Sequence, residues 1–311
     1  MRPKRCCRRP QPAGFTLLEL IVVVVLLGVL GGGAGLLITT PIEAYSDQLR
    51  RLQLVDQGEM ALRQVARDVR RALPNSVRVT TVGSGWALEM VNTIDGARYR
   101  DEHDVAATVP GADDILDFSV DDSRFNFLGK LNRLPLGALA RNQRIVIYNT
   151  APGNIYGDAS ANNNPGVITP QALLPLPQST FITLSNSLSI DYPNEHQIEI
   201  IPAFQFVQQS PGQRAFVVDG PISYVCNPAT RRITRYSNYA YQLAQLTTDG
   251  ALGGLSGVQS GPVVTQLSAC TIEYEAGSSQ RGGILTMGIT LDNTTGENIT
   301  LLHQVHVVNV P

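Results

Sequence analysis

Signatures of catalysis are missing from this sequence. It has no G-x-S-x-G elbow, no P-loop and no dinucleotide-binding glycine fingerprint, and its Ser, His and Asp residues are scattered. Neither an enzyme nor a cofactor is suggested. Histidine is scarce, with four copies. The close pair His303 and His306 is spaced three apart in an alternating strand pattern, so the rings face opposite sides and cannot chelate one metal ion. Charge is also scarce, at 16% of 311 residues against 43% hydrophobic. Five of the 24 basic residues (Arg2, Lys4, Arg5, Arg8 and Arg9) precede Phe15, while all 26 acids follow it. The body is therefore net acidic, which argues against nucleic acid as a partner.

What is present begins with "RPQPAGFTLLELIVVVVLLGVLGGGAGLLI", residues 9–38, whose sole acid is Glu19. Residues 20–38 carry no charge. They would form about 28 Å of helix, close to a hydrocarbon core of roughly 30 Å. Basic residues come first, so the positive-inside rule leaves residues 1–14 in the cytoplasm and sends the rest across. A secretory signal peptide has a shorter apolar region with its cleavage site behind it. Here the best processing candidate, Gly14-Phe15, stands in front. A plain anchor accounts for everything except Glu19, because a lone acid in a spanning segment costs on the order of 2.5–3.5 kcal/mol. Cleavage after Gly14 would free a cationic amine at Phe15, one helical turn from Glu19. A carboxylate on one helix would then attract the amine of a neighbour shifted along its axis.

These residues, Gly14, Phe15, Thr16-Leu17-Leu18 and Glu19 ahead of "LIVVVVLLGVL", resemble the class III signal of type IV pilins and pseudopilins. The resemblance implies that a prepilin peptidase cuts between Gly14 and Phe15 and methylates the Phe15 amine. It implies that Glu19 neutralises a neighbouring subunit's N-terminus during assembly. The implied partners are the prepilin peptidase, other minor and major pilins or pseudopilins, the inner-membrane assembly platform and membrane lipid. The implied location is the bacterial inner membrane, single-pass, with a cytoplasmic N-terminus and a periplasmic body, and later the pilus, at its tip or base.

The expected fold class is α+β: a long N-terminal transmembrane and amphipathic helix packed on an antiparallel β-rich region. The expected organisation is a cleaved leader at 1–14, a transmembrane helix at 15–40, an amphipathic continuation at 41–74 and a globular region at 75–311. Glycines at 28–35 suit close helix packing or local softening, and Pro41 should kink the helix. Beyond it Ile42, Tyr45, Leu49, Leu52, Val55, Leu62, Val65, Val69 and Leu73 form one stripe, with Gly58 as its weak point and Pro74-Asn75 as its stop. Arginines 63, 67, 70 and 71 read as the solvated face. Thereafter the period is two. "SVRVTTV", "WALEMVNT", "ILDFSV", "QRIVIYNT" and "HQIEIIP" read as strands, followed by "RAFVVDGPISYVCN", "RRITRYSNY", "VTQLSACTIEYEA", "GILTMGITLDN" and "NITLLHQVHVVNV". Residues 149–171 read as a mobile polar loop where the body could divide.

Cysteine occurs four times. Cys6 and Cys7 fall in the leader, with no metal-ligand partners around them. Cys226 and Cys270 lie in predicted strands in an oxidising compartment and are expected to pair, two separate buried thiols being the alternative. Pilin-like proteins commonly carry a C-terminal disulfide, so the resemblance points the same way. The acids of "PGADDILDFSVDD" make Asp113, Asp114 and Asp117 weak calcium candidates, as some pseudopilins bind calcium. Their spacing does not match an EF-hand, and a solvated loop is the default.

The body is larger than that of major pilins, which suggests a minor subunit that initiates or primes a filament. Its C-terminal pattern, "ISYVCN…RRITRYSNY…LSACTIEYEA…HQVHVVNVP", resembles minor pilins of the mannose-sensitive haemagglutinin (MSHA) type IV pilus system, with PilW-like minor pilins next. The alternatives are a minor pseudopilin of a type II secretion system and a tip adhesive module. Glu19 disfavours the secretion-system tip subunit, which characteristically lacks that acid.

Overall fold

The computed structural model describes residues 14–103, 114–140, 143–156, 167–168, 181–187, 192–206, 208–277, 281–293 and 296–309, with backbone alone at 33–44 and 167–168. The chain divides into two compact units, Met1–Gln53 and Leu54–Pro311. Helix α1 (Leu17–Arg70) has 54 residues. It continues across Pro41, whose side-chain surroundings are outside the described residues. It ends before the predicted Pro74-Asn75 stop. Arg71 and Ala72 donate their amides to the carbonyls of Asp68 and Val69 at 3.0 and 3.1 Å, the tight i→i−3 pattern of a closing turn. Leu73 then donates to the carbonyl of Val91 at 2.8 Å, so the chain leaves the helix by pairing with a strand.

In the first unit, the apolar side chains from Phe15 to Leu30 are exposed on every side of the helix. A helix apolar all round needs lipid or other helices about it. Among the described residues, however, no helix is long and apolar enough to cross a membrane. The expected amphipathic stripe also divides. Tyr45, Leu49 and Leu52 are exposed, whereas Leu62, Val65, Val69 and Leu73 are buried.

The second unit holds three antiparallel sheets. In the first, β1 (Arg78–Val82), β2 (Gly85–Arg98), β9 (Arg214–Asn227), β10 (Arg232–Ser237) and β11 (Gln259–Val264) lie in that order. Off this path, β5 (Arg144–Ile147) pairs with β9 and β6 (Val167–Ile168) with β5. The second sheet is β12 (Leu267–Glu275), β13 (Gly283–Asp292) and β14 (Asn298–Val307). The third runs β3 (Asp122–Phe127), β8 (His196–Phe204), β7 (Phe181–Asn186) and β4 (Gly137–Ala138).

Alternation along β2 and β9 explains the layering. Trp86, Leu88, Met90, Ile222, Tyr224 and Cys226 pack with Leu54, Ala61, Leu62, Val65, Ala66 and Val69 of α1, and Leu285, Met287, Ile289 and Leu291 of β13 join the same core. Burial there explains why the core-facing stripe includes two alanines that hydropathy alone passes over. Where α1 meets β13 and β14, Gly58 makes room. A Cβ at that position would overlap Leu301 Cδ1 and lie 3.2 Å from Leu291 Cδ1. The glycine read as a weak point is thus a close approach. Gly58→Leu should lower stability by about 1–3 kcal/mol through overpacking. Urea unfolding of the full chain in neutral detergent checks this, and an unchanged midpoint contradicts it.

A second core joins β3, β7 and β8 to the far half of β9. Phe125, Phe127, Phe206, Ile182, Leu184 and Ile198 pack with Ile145, Ile147, Ala215 and Val217. Strand β9 can serve both cores because its pairing with β2 shifts register between Val91 and Asp95, and because Gly220 takes φ +119°.

Two expectations are corrected. "ILDFSV" is not a strand. Asp117 accepts from the Ser119 amide at 2.7 Å and Asp122 accepts from the Asp117 amide at 2.9 Å, so side-chain turns replace ladder bonds until β3 begins at Asp122. The stretch 149–171 is not wholly loop. Helix α2 (Pro152–Tyr156) buries Ile155 and Tyr156, and β6 pairs with β5, while 157–166 and 169–171 lie outside the described residues.

Candidate functional site

Gly14 and Phe15 precede α1 in exposed, irregular chain, with Phe15 79% exposed and nothing within 4 Å of a Cβ placed on Gly14. Thr16 starts the helix. Its hydroxyl accepts the Glu19 amide at 3.2 Å, and its carbonyl accepts the Leu20 amide at 3.2 Å. Thr16-x-x-Glu19 is therefore capping-box spacing with the threonine half formed, and Glu19 is the acid in the first turn, where the helix dipole favours negative charge. Thr16, which the resemblance includes as part of the motif, has this capping role as well, and the S/T-x-x-E pattern is its sequence signal.

Cys226 and Cys270 form a disulfide with Cα atoms 6.8 Å apart, joining β9 of the first sheet to β12 of the second. The acidic candidates do not converge. Asp113 lies outside the described residues; Asp114 accepts from Gln197 Nε2 at 2.8 Å and faces Arg124 at 3.7 Å. The Asp117 carboxylate is held below its usual range by the Ser119 hydroxyl and amide. Among the described residues no group of three metal-ligating side chains occurs. On β14, His303 lies among the inward residues and His306 on the exposed face. Of the arginines, Arg63 pairs with Glu59 at 2.6 Å, while Arg70 and Arg71 line a cavity with strand residues.

Interior charge is spent on fastening elements. Tyr224 donates to Asp68 at 2.7 Å and Arg235 donates to the same oxygen at 2.9 Å, which ties α1 to β9 and β10; burial and then Asp68 raise the Tyr224 hydroxyl's pKa. Glu89 accepts from Arg78 at 2.5 Å and from Tyr239 at 2.9 Å; burial raises its pKa against the pull of Arg78. Arg78 lies over the Tyr156 ring at 3.7 Å and Arg144 over Tyr241 at 3.6 Å, pinning α2 and the chain after β10 to the sheet. His196 Nδ1 accepts the Leu131 amide at 3.1 Å; burial and then Lys130 lower its pKa, with Asp95 opposing. These groups bind one another, and no nucleophile–base pair emerges from them.

The model of the prokaryotic N-terminal methylation motif matches residues 9–35. No curated protein and no solved structure matches the chain. The motif is a type IV pilin-like signal, and it marks residues 9–35 as a pilin-like or pseudopilin-like N-terminus.

Proposed function

We propose that the protein is a minor pilin of an MSHA-type type IV pilus, acting in filament initiation and assembly. A prepilin peptidase cuts it between Gly14 and Phe15 and methylates Phe15. Its first helix sits in the inner membrane, and its β-rich body, stapled by Cys226–Cys270, is periplasmic until incorporated. The observation that carries this reading is Glu19 within an otherwise apolar helix directly after Gly14-Phe15, inside the matched motif. The apolar surface exposed all round that helix needs lipid first and sister helices later. The finer assignment, to the MshO subunit of that system, is supported by the tyrosine–cysteine strand, the second cysteine and the His-Gln-Val-His ending.

Processing is tested by Gly14→Ser in cells with the cognate peptidase. A side chain at the residue before the cut should leave most of the protein at precursor mass on immunoblots, at least about tenfold less mature form than wild type, on the order of 1.4 kcal/mol at the cleavage step. A mature-size band in that variant relocates the cut.

A further inference from the structure

In the body, a cavity of about 660 Å³ opens beside the far half of β2. Its lining includes Arg70 and Arg71 at the end of α1, Arg98 of β2, Arg133 and Arg214, against a single acid, Asp95. All five arginines are exposed. The concentration is unexpected in a body whose acids outnumber its bases. Asp95 is held in place by the amides of Gly96 and Arg133, each at 2.9 Å, and its one negative charge leaves the five-arginine lining net positive. Among the described residues neither Arg70 nor Arg133 enters an ion pair. Thr93, also in the lining, has a buried hydroxyl with no partner among the described residues.

Two features define the ligand more narrowly than charge alone. Ile94 and Ala97, packed against one core, and Phe216, packed against another, add apolar surface to the lining. The edge of β2 away from β9 is open there: Thr93 donates its amide to the Arg71 carbonyl at 2.9 Å, and no described strand pairs with 94–97 on that side. Guanidinium groups grip carboxylates through paired hydrogen bonds. An open strand edge accepts an extended backbone, with alternate side chains entering the pockets beside it. A polysaccharide anion would leave both the strand edge and the apolar part of the lining unused.

We infer that this arginine-rimmed cavity docks an acidic, extended peptide segment of a partner protein, with carboxylates on the arginines, apolar side chains on the apolar lining and backbone along β2. The inference is independent of the N-terminal signal.

The test is fluorescence anisotropy of the full chain in neutral detergent with a labelled hexapeptide of alternating Glu and Val. Saturable binding that weakens with salt is expected, with no binding of the Gln/Val peptide. Arg70→Gln combined with Arg133→Gln should weaken binding at least about tenfold. Arg232→Gln, an exposed change on β10 outside the cavity, should leave it unchanged. Arg98→Gln provides a second reading should the double variant lose its circular-dichroism spectrum. Wild-type affinity in both cavity variants overturns the proposal, as does an equal loss in Arg232→Gln. Tighter binding of a sulfated polysaccharide through the same arginines, or equal competition by inorganic phosphate, overturns the peptide assignment.

Discussion

Glu19→Ala is expected to be cut after Gly14 as wild type is, yet to lose recruitment of partner pilins by on the order of 100-fold. Removing one member of a buried ion pair leaves the other charge uncompensated, at a cost of roughly 3–5 kcal/mol. Here the uncompensated group would be the Phe15 amine in lipid. The helix start offers a competing account: the bond from the Glu19 amide to the Thr16 hydroxyl survives the substitution, but the side chain that can complete the capping box and the first-turn acid are both lost. Losing a capping interaction costs only about 0.5–2 kcal/mol. Glu19→Gln separates the two, because glutamine serves in a capping box but carries no charge. Co-purification from cross-linked membranes is the readout. Both variants should fail if charge is the handle, and recovery with Gln would reduce Glu19 to a helix-starting residue.

The second large effect lies in the body. Cys226→Ser should cost about 4 kcal/mol, the chain-entropy value for a cross-link whose cysteines are 44 residues apart. Both half-cystines are buried, at 3% and 8% exposure, in the core shared by α1 and the first two sheets. The loss should therefore loosen the attachment of β12 to β14 as well as the cross-link itself. Urea unfolding midpoints should fall alike for Cys226→Ser, Cys270→Ser and the wild type under reducing conditions. A reduced wild type that unfolds at the oxidised midpoint contradicts this.

Much of the body was legible because its strands are long and alternate cleanly. The stretch "RAFVVDGPISYVCN" coincides with β9, and the last two strands begin where their patterns do. The cysteine pairing was legible because both residues fell inside such strands. The third sheet was legible only in β8, which begins where "HQIEIIP" does. The first strand of that sheet, "DSRFNF", alternates weakly and follows an acidic turn, and β7, "FITLSN", offers only Ile182 and Leu184 to the core. Strand β11, "QSGPVV", contains the glycine and proline that read as breakers, and it survives because it lies at the sheet edge beyond β10. The limit between exposed and buried parts of α1 was also hidden. Its apolar stripe continues unchanged through Leu52, and only the partner strands decide that burial begins at Leu54. At the N-terminus Gly14, Phe15 and Glu19 are sequence neighbours inside the matched motif, while the cavity arginines come from distant stretches and no spacing could have grouped them.

The most direct test is mass spectrometry of the N-terminal peptide from protein purified out of cells that contain the cognate peptidase. The account predicts a chain beginning at Phe15 with one added methyl group on its amine. A chain that still begins at Met1 would contradict it, because Glu19 would then have no amine beside it to meet.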